Sequence, residues 1–208
     1  MKDTMWLPVG LGILVLLCGS PALGQRNKIP PNPIEKIPSQ PNLDLKKFAG
    51  KWYLLSVASE CDYLKLNNHR LEATIMEVSR STKPQELENL FVRTFRKLDG
   101  ICWEIKHQYR KNKVPGRFTL KARGPENRMD VVVGETDYEN YAIMYYQRQR
   151  RITIKLYGRR TTIGDEIYQK LDERVSSQGI DLQYIYPFPA YGFCEKADEF
   201  HILDETSR

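Results

Sequence analysis

From residue 53 to residue 157 the chain keeps to a period of two. Ile152, Ile154 and Leu156 alternate with Thr153, Lys155 and Tyr157, and Phe118, Leu120 and Ala122 alternate with Thr119 and Lys121. The runs at 131–133 and 141–146 flank a short polar turn, and earlier runs lie at 53–59, 71–78, 90–96 and 103–109. Alternation at this period marks strands with one buried face. Eight such runs joined by short connections predict an antiparallel meander, and a meander of this length hides its edges by closing on itself. The predicted fold is all-β: an eight-stranded antiparallel up-and-down barrel.

One helix interrupts the pattern. Asp165 and Glu166 place acidic side chains at the positive end of a helix dipole. Ile167, Leu171 and Val175 then recur at helical spacing, and Gly179 ends the run. The spacing predicts a single C-terminal α-helix, residues 165–177, with its apolar stripe against the outside of the barrel. A short strand at 183–186 and a tail over 194–208 follow.

The N-terminus has the composition of a processing signal. Lys2 precedes an apolar stretch from Val9 to Cys18, and Ala22-Leu23-Gly24 offers small residues at cleavage spacing. Residues 1–24 are expected to be a signal peptide, because the stretch is well short of the roughly 20 residues that span a bilayer. The mature chain is then secreted into an oxidising fluid where disulfides persist. Residues 25–41 carry Pro30, Pro31, Pro33, Pro38 and Pro41 and are expected to form a flexible or polyproline-like arm. Residues 42–208 form the single barrel domain. The net charge of +6 is spread among strands and turns, with Arg110 to Gly116 a basic turn. It is not gathered as a nucleic-acid-binding face would require, so no nucleic-acid partner is expected. No Asn-x-Ser/Thr sequon occurs.

Cys18 leaves with the signal, and three cysteines remain: Cys61, Cys102 and Cys194. An odd count leaves one thiol without an internal partner, and spacing alone does not say which. No catalytic residue emerges. No nucleophile elbow, phosphate loop or paired-carboxylate signature is present, His69, His107 and His201 are scattered, and neither a metal nor a cofactor is expected. The run 71–78 contains Met76 but no cysteine that could serve as a thiol catalyst inside the barrel.

Three motifs narrow this reading. Gly50-Lys51-Trp52, Thr136-Asp137-Tyr138 and the strand-ending Arg159, in that order, resemble the three sequence signatures of the lipocalin family, and the likeness covers 42–204. The resemblance implies a barrel around a ligand cavity. Trp52 would plug the closed end with Arg159 across its ring, and Gly50, Thr136, Asp137 and Tyr138 would complete that signature. It also implies a bridge between Cys102 and Cys194, because a common lipocalin disulfide ties the tail to the wall near the fourth strand. Cys61 is then the odd thiol, at the rim of the mouth. Registering on Thr136-Asp137-Tyr138 places Val131, Val133, Met144 and Tyr146 inward. Alternation adds Phe118 and Leu120, and extends to Ala73 and Ile75. Tyr146, Tyr157 and Lys155 supply polarity. These side chains either fill the core or line a pocket for a small apolar ligand.

Two lipocalin branches carry a cysteine in the loop that holds Cys61. The stretch 94–103 and the tail 191–205 resemble the branch that is a disulfide-linked subunit of a complement component. That resemblance implies a covalent partner at Cys61, the alpha chain of the eighth component. Through it, it implies association with the beta chain and the membrane attack complex, without direct membrane insertion. The alternative is the alpha-1-microglobulin branch: a free carrier or scavenger with a reactive rim thiol.

Overall fold

The computed structural model describes residues 31–120 and 128–206. The signal segment, the first part of the proline-rich stretch and Ala122 lie outside the described residues. Eight strands form the wall: β1 (Gly50–Ala58), β2 (Thr74–Arg80), β3 (Leu90–Leu98), β4 (Ile101–Lys111), β5 (Arg117–Leu120), β6 (Met129–Thr136), β7 (Tyr141–Arg148) and β8 (Arg151–Gly158). Every neighbouring pair is antiparallel. β1 pairs with both β2 and β8, and the pairing of β4 with β5 closes the ring. The expected up-and-down barrel is the observed one.

The alternation sorts side chains into two clusters. Trp52, Leu54, Val57, Met76, Val78, Val131, Val133, Met144 and Tyr157 face the lumen. Leu55, Val132, Ile143, Tyr145, Ile154 and Leu156 face outward, beneath the helix. Among the described residues three α-helices accompany the strands: α1 (Leu45–Phe48), α2 (Asp62–Asn67) and α3 (Asp165–Ser177). The α3 helix buries Ile167, Leu171 and Val175, the residues its spacing marked out. Its end is fixed by Gly179 at φ +73°. There the Gly179 N–H donates to the Ser176 carbonyl at 2.9 Å and the Ile180 N–H to the Val175 carbonyl at 3.3 Å. This is a Schellman closure, which favours glycine because it requires a left-handed residue.

Two short tail strands fill gaps in the wall. β9 (Ile185–Pro187) pairs with the second half of β1, beyond the residues that β2 covers. β10 (Ile202–Asp204) runs parallel to β4 at Glu104–Lys106, short of the residues that β5 covers. Both satisfy backbone groups that a bare strand edge would leave open.

The proline-rich segment departs from expectation. Its described part is packed, not flexible. Pro33–Lys36 forms a 3-10 turn, and Ile34 and Ile37 are buried in the outer cluster. The Ile34 N–H donates to Gln147 Oε1 at 2.9 Å, and the Gln40 N–H donates to the Val133 carbonyl at 2.8 Å. The Arg117 guanidinium donates to the carbonyls of Ile34, Glu35 and Ile37. Proline content signalled the missing donors correctly. It carried no information about two isoleucines finding an apolar groove. Ile37→Ala is therefore expected to lower stability by about 2–4 kcal/mol in urea titration. A loss below about 0.5 kcal/mol would return the segment to a free arm.

Candidate functional site

The closed end is built on Arg159. Its guanidinium lies 3.7 Å from the Trp52 ring centroid. It donates from Nε to the Tyr138 carbonyl at 2.9 Å, and from its two terminal nitrogens to the carbonyls of Lys51 (3.0 Å), Lys47 (2.7 Å) and Ala49 (2.9 Å). Trp52 Nε1 donates to the Phe48 carbonyl at 2.9 Å. Gly50 sits at φ +104°, and a Cβ there would come within 3.1 Å of the Arg159 guanidinium. Thr136 Oγ1 donates to the Tyr141 carbonyl at 2.6 Å. The Asp137 carboxylate accepts the N–H groups of Glu139, Asn140 and Tyr141. Burial alone would raise the Asp137 carboxyl, but these donors hold it below the ordinary carboxylate range. Tyr138 sits at φ +69°, and its hydroxyl accepts the Asp44 N–H at 3.1 Å. All six signature residues thus meet at one end, as a structural plug without reactive geometry.

Above the plug the apolar side chains are buried. Val131, Val133 and Met144 are 0% exposed and Phe118 is 2% exposed; Val131 and Phe118 also back onto a separate cleft of about 570 Å³ beside Arg117 and Gln147. Leu120 is buried beside them. This part of the sequence-derived pocket packs as core. Two residues assigned to it do not face the lumen. Met76 and Val78 are the inward residues of β2, so Ile75 points to the outer face, opposite Tyr53 and Phe95. Ala73 precedes the strand and joins neither cluster. Counted back from Met76 and Val78, which alternate with the polar Glu77 and Ser79, the period of two already turns Ile75 outward; its apolar character at the buried start of the strand hid this. The outer face is covered where the Phe193 ring of the tail meets Tyr53 at 5.0 Å.

Three tyrosines bring polar groups into the lining. Tyr109, Tyr146 and Tyr157 are buried inward, with the Tyr109 and Tyr146 hydroxyls 3.3 Å apart. Burial pushes the Tyr109 hydroxyl up to about 12 and raises those of Tyr146 and Tyr157, so all three remain neutral donors at physiological pH. Lys155 is inward and half-buried, its Nζ 4.5 Å from the Tyr146 ring centroid. Arg96 and His107 continue the inward faces of β3 and β4. The sequence reading missed Arg96 and treated His107 as a scattered histidine. The signal for both was the alternation itself, counted onward from Val92 and back from Tyr109.

Cys61 is half-exposed and unpaired, at the start of the six-residue α2. Its N–H donates to Ser59 Oγ at 3.2 Å, and that hydroxyl lies 3.1 Å from Thr153 Oγ1. The loop is thereby tied to the wall at the rim. Beside it opens a cleft of about 670 Å³ lined by Cys61, Lys65, Met129, Tyr146, Arg148 and Ile180 among others. Tyr63 and Leu66 on α2 are exposed, Leu66 at 74%. His69 is exposed, and among the described residues no hydrogen bond joins it to Cys61. Cys102 and Cys194 are bonded at 2.10 Å across a separation of 92 residues. They fix the tail to the start of β4.

The model for the lipocalin / cytosolic fatty-acid binding protein family matches residues 49–190. The complement component C8 gamma chain of rabbit, Oryctolagus cuniculus, is 41% identical over 199 residues, which are 94% of this chain and 96% of that protein. Protein AMBP of Bos taurus is 28% identical over 202 residues, 95% of this chain, and this chain spans 56% of its length. A solved structure of Ex-FABP, a siderocalin with dual ligand specificities, superposes with a TM-score of 0.60 at 18% identity. It covers 70% of this chain and 96% of its own, a likeness of fold alone.

Proposed function

The chain belongs to the lipocalin family, and from that premise we propose that it is a secreted, non-enzymatic subunit of the eighth complement component. Cys61 links it by a disulfide to that component's alpha chain. With the alpha and beta chains it enters the membrane attack complex. The observation that carries this reading is the state of the cysteines. The bridge between Cys102 and Cys194 leaves Cys61 alone, half-exposed, beside a cleft and two exposed apolar side chains. A thiol so placed in an oxidising fluid exchanges or oxidises unless a partner takes it. Exposed apolar groups around it, Tyr63 and Leu66, are the kind a partner covers. The likeness to the rabbit gamma chain along nearly the whole length supports a partner within the same component, and the half-buried polar lining of the mouth is compatible with a small ligand.

Cys61→Ser is expected to abolish the covalent heterodimer on non-reducing electrophoresis while leaving the melting temperature within about a degree, because rim positions contribute little to stability. Non-covalent association survives if the mouth also grips the partner. A serine variant that still ran as a covalent heterodimer would move the link to another cysteine. Native plasma protein running as a lone monomer would favour a free carrier, the alternative that the similarity to Protein AMBP raises.

A further inference from the structure

Two strands on opposite sides of the barrel send cations into the lumen, and neither meets an anion there. Arg96 follows Leu90 and Val92 on the inward face of β3, and Lys155 precedes Tyr157 on the inward face of β8. β2 and β1 separate these strands in the wall, so the side chains face each other across the lumen. The Arg96 Nε is buried without a hydrogen-bond partner. None of the ion pairs among the described residues includes Arg96 or Lys155. A cation held away from water without a counter-charge weakens the empty fold. The arrangement makes physical sense when an anion joins it. Arg80 shares the unpaired Nε, but it lies at the closed end of β2, so the orphan atom alone is not the signal. The signal is the facing pair.

The electrostatics follow the geometry. Burial pulls the Lys155 ammonium down to about 8, and the Arg96 charge adds to the effect. Burial also lowers His107; Glu205 in the tail opposes this and Lys155 reinforces it. The space is confined to this level. Thr94, Arg96, Ile105, His107 and Lys155 are half-buried, whereas Trp52, Val133 and Met144 are sealed. The buried rings of Tyr109, Tyr146 and Tyr157 floor the open part, and the cleft beside Cys61 also ends on Tyr146.

We infer that the mouth half of the lumen binds a compact organic anion, its anionic group between the Arg96 guanidinium and the Lys155 ammonium and its apolar body against the Tyr146 ring. A planar guanidinium and an ammonium together suit a carboxylate or sulfonate. The tyrosine floor offers flat, apolar faces with hydroxyl donors. Ligand binding by the barrel is taken from the reading above, with an anionic class in place of a neutral apolar one; the covalent partner is not required.

Two dyes that differ by one sulfonate group test this on the mature, disulfide-intact protein: 8-anilinonaphthalene-1-sulfonate and the neutral N-phenyl-1-naphthylamine, each titrated by fluorescence. The sulfonate is expected to bind about tenfold tighter or better, as a charge-assisted hydrogen bond allows. Arg96→Met and Lys155→Met should each remove about that factor for the sulfonate and leave the neutral dye unchanged, and Arg96→Lys should restore part of it. Without any dye, Lys155→Met should melt higher than the wild type, because it removes an uncompensated cation. If a methionine variant loses its near-ultraviolet circular dichroism, Lys155→Gln keeps the comparison. Equal wild-type affinity for the two dyes, or variants that weaken both alike, would overturn the anion site while leaving a binding barrel. Failure of either dye to bind would remove the small-ligand reading as well.

Discussion

Arg159→Ala is expected to lower the unfolding free energy by about 3–4 kcal/mol, from lost charge-assisted hydrogen bonds and the lost ring contact. The side chain is partly exposed, so water replaces some of its bonds, and the figure is well below the sum of its separate contacts. What cannot be replaced is convergence. Carbonyls from Lys47, Ala49, Lys51 and Tyr138 come from two distant parts of the chain and meet on one guanidinium over the Trp52 ring. Arg159→Lys should recover the charge above the ring but not the fork, giving an intermediate loss. Urea titration followed by Trp fluorescence measures both, with an unchanged slope showing that the denatured state is unaffected. A loss under 1 kcal/mol for the alanine variant would mean that the plug is held by apolar packing alone.

Removing both bridged cysteines, Cys102→Ser with Cys194→Ser, is expected to cost about 2–5 kcal/mol, the range for a bridge that closes a long loop. The double variant is the informative one, since a single serine would leave a new thiol to compete with Cys61. The loss should be local in its consequences. The tail is also held by the parallel pairing of β10, by the Glu205 N–H donating to the Lys106 carbonyl at 2.9 Å, and by the Trp103–His201 ring contact at 4.7 Å. Once the bridge is gone, those weak contacts must hold the tail alone. Amide exchange should quicken in β10 and at Glu104–Lys106, while β1, β7 and α3 keep their protection. The exposed edge of β4 should then favour self-association. Unchanged exchange in β10 would show that the bridge only decorates a tail already held by its pairing.

Much of this molecule was legible in order along the chain. The eight strands were read from a period of two, and the limits of α3 from an acidic start, three apolar residues and a glycine. The plug could be read by family resemblance because its residues stand in motifs of fixed spacing. The odd cysteine count was arithmetic. Each of these is a local property, set by backbone geometry or by neighbours within a few positions, and so it survives in one dimension.

What failed or was missed depends on which surfaces are covered from afar. Ile75 was misplaced because its outer-face position is buried between Tyr53 and Phe95, so an apolar side chain there reads like a lumen residue. Ile34 and Ile37 sit among prolines, and only the groove between Arg117 and Gln147 turns that segment into a strap. The core residues Val133 and Met144 have the same character whether they line a void or fill it, and packing alone separates the two. Arg96 and Lys155 stand 59 residues apart in sequence, and each by itself reads as a solvated strand cation. Closure of the barrel puts them on facing walls of one lumen, and no ion pair among the described residues takes up either cation. Sequence determined the strands, the helix and the spare thiol, because local periodicity and counting suffice for these. Tertiary structure alone decided which side chains share the lumen, because that depends on the register of strands far apart in the chain.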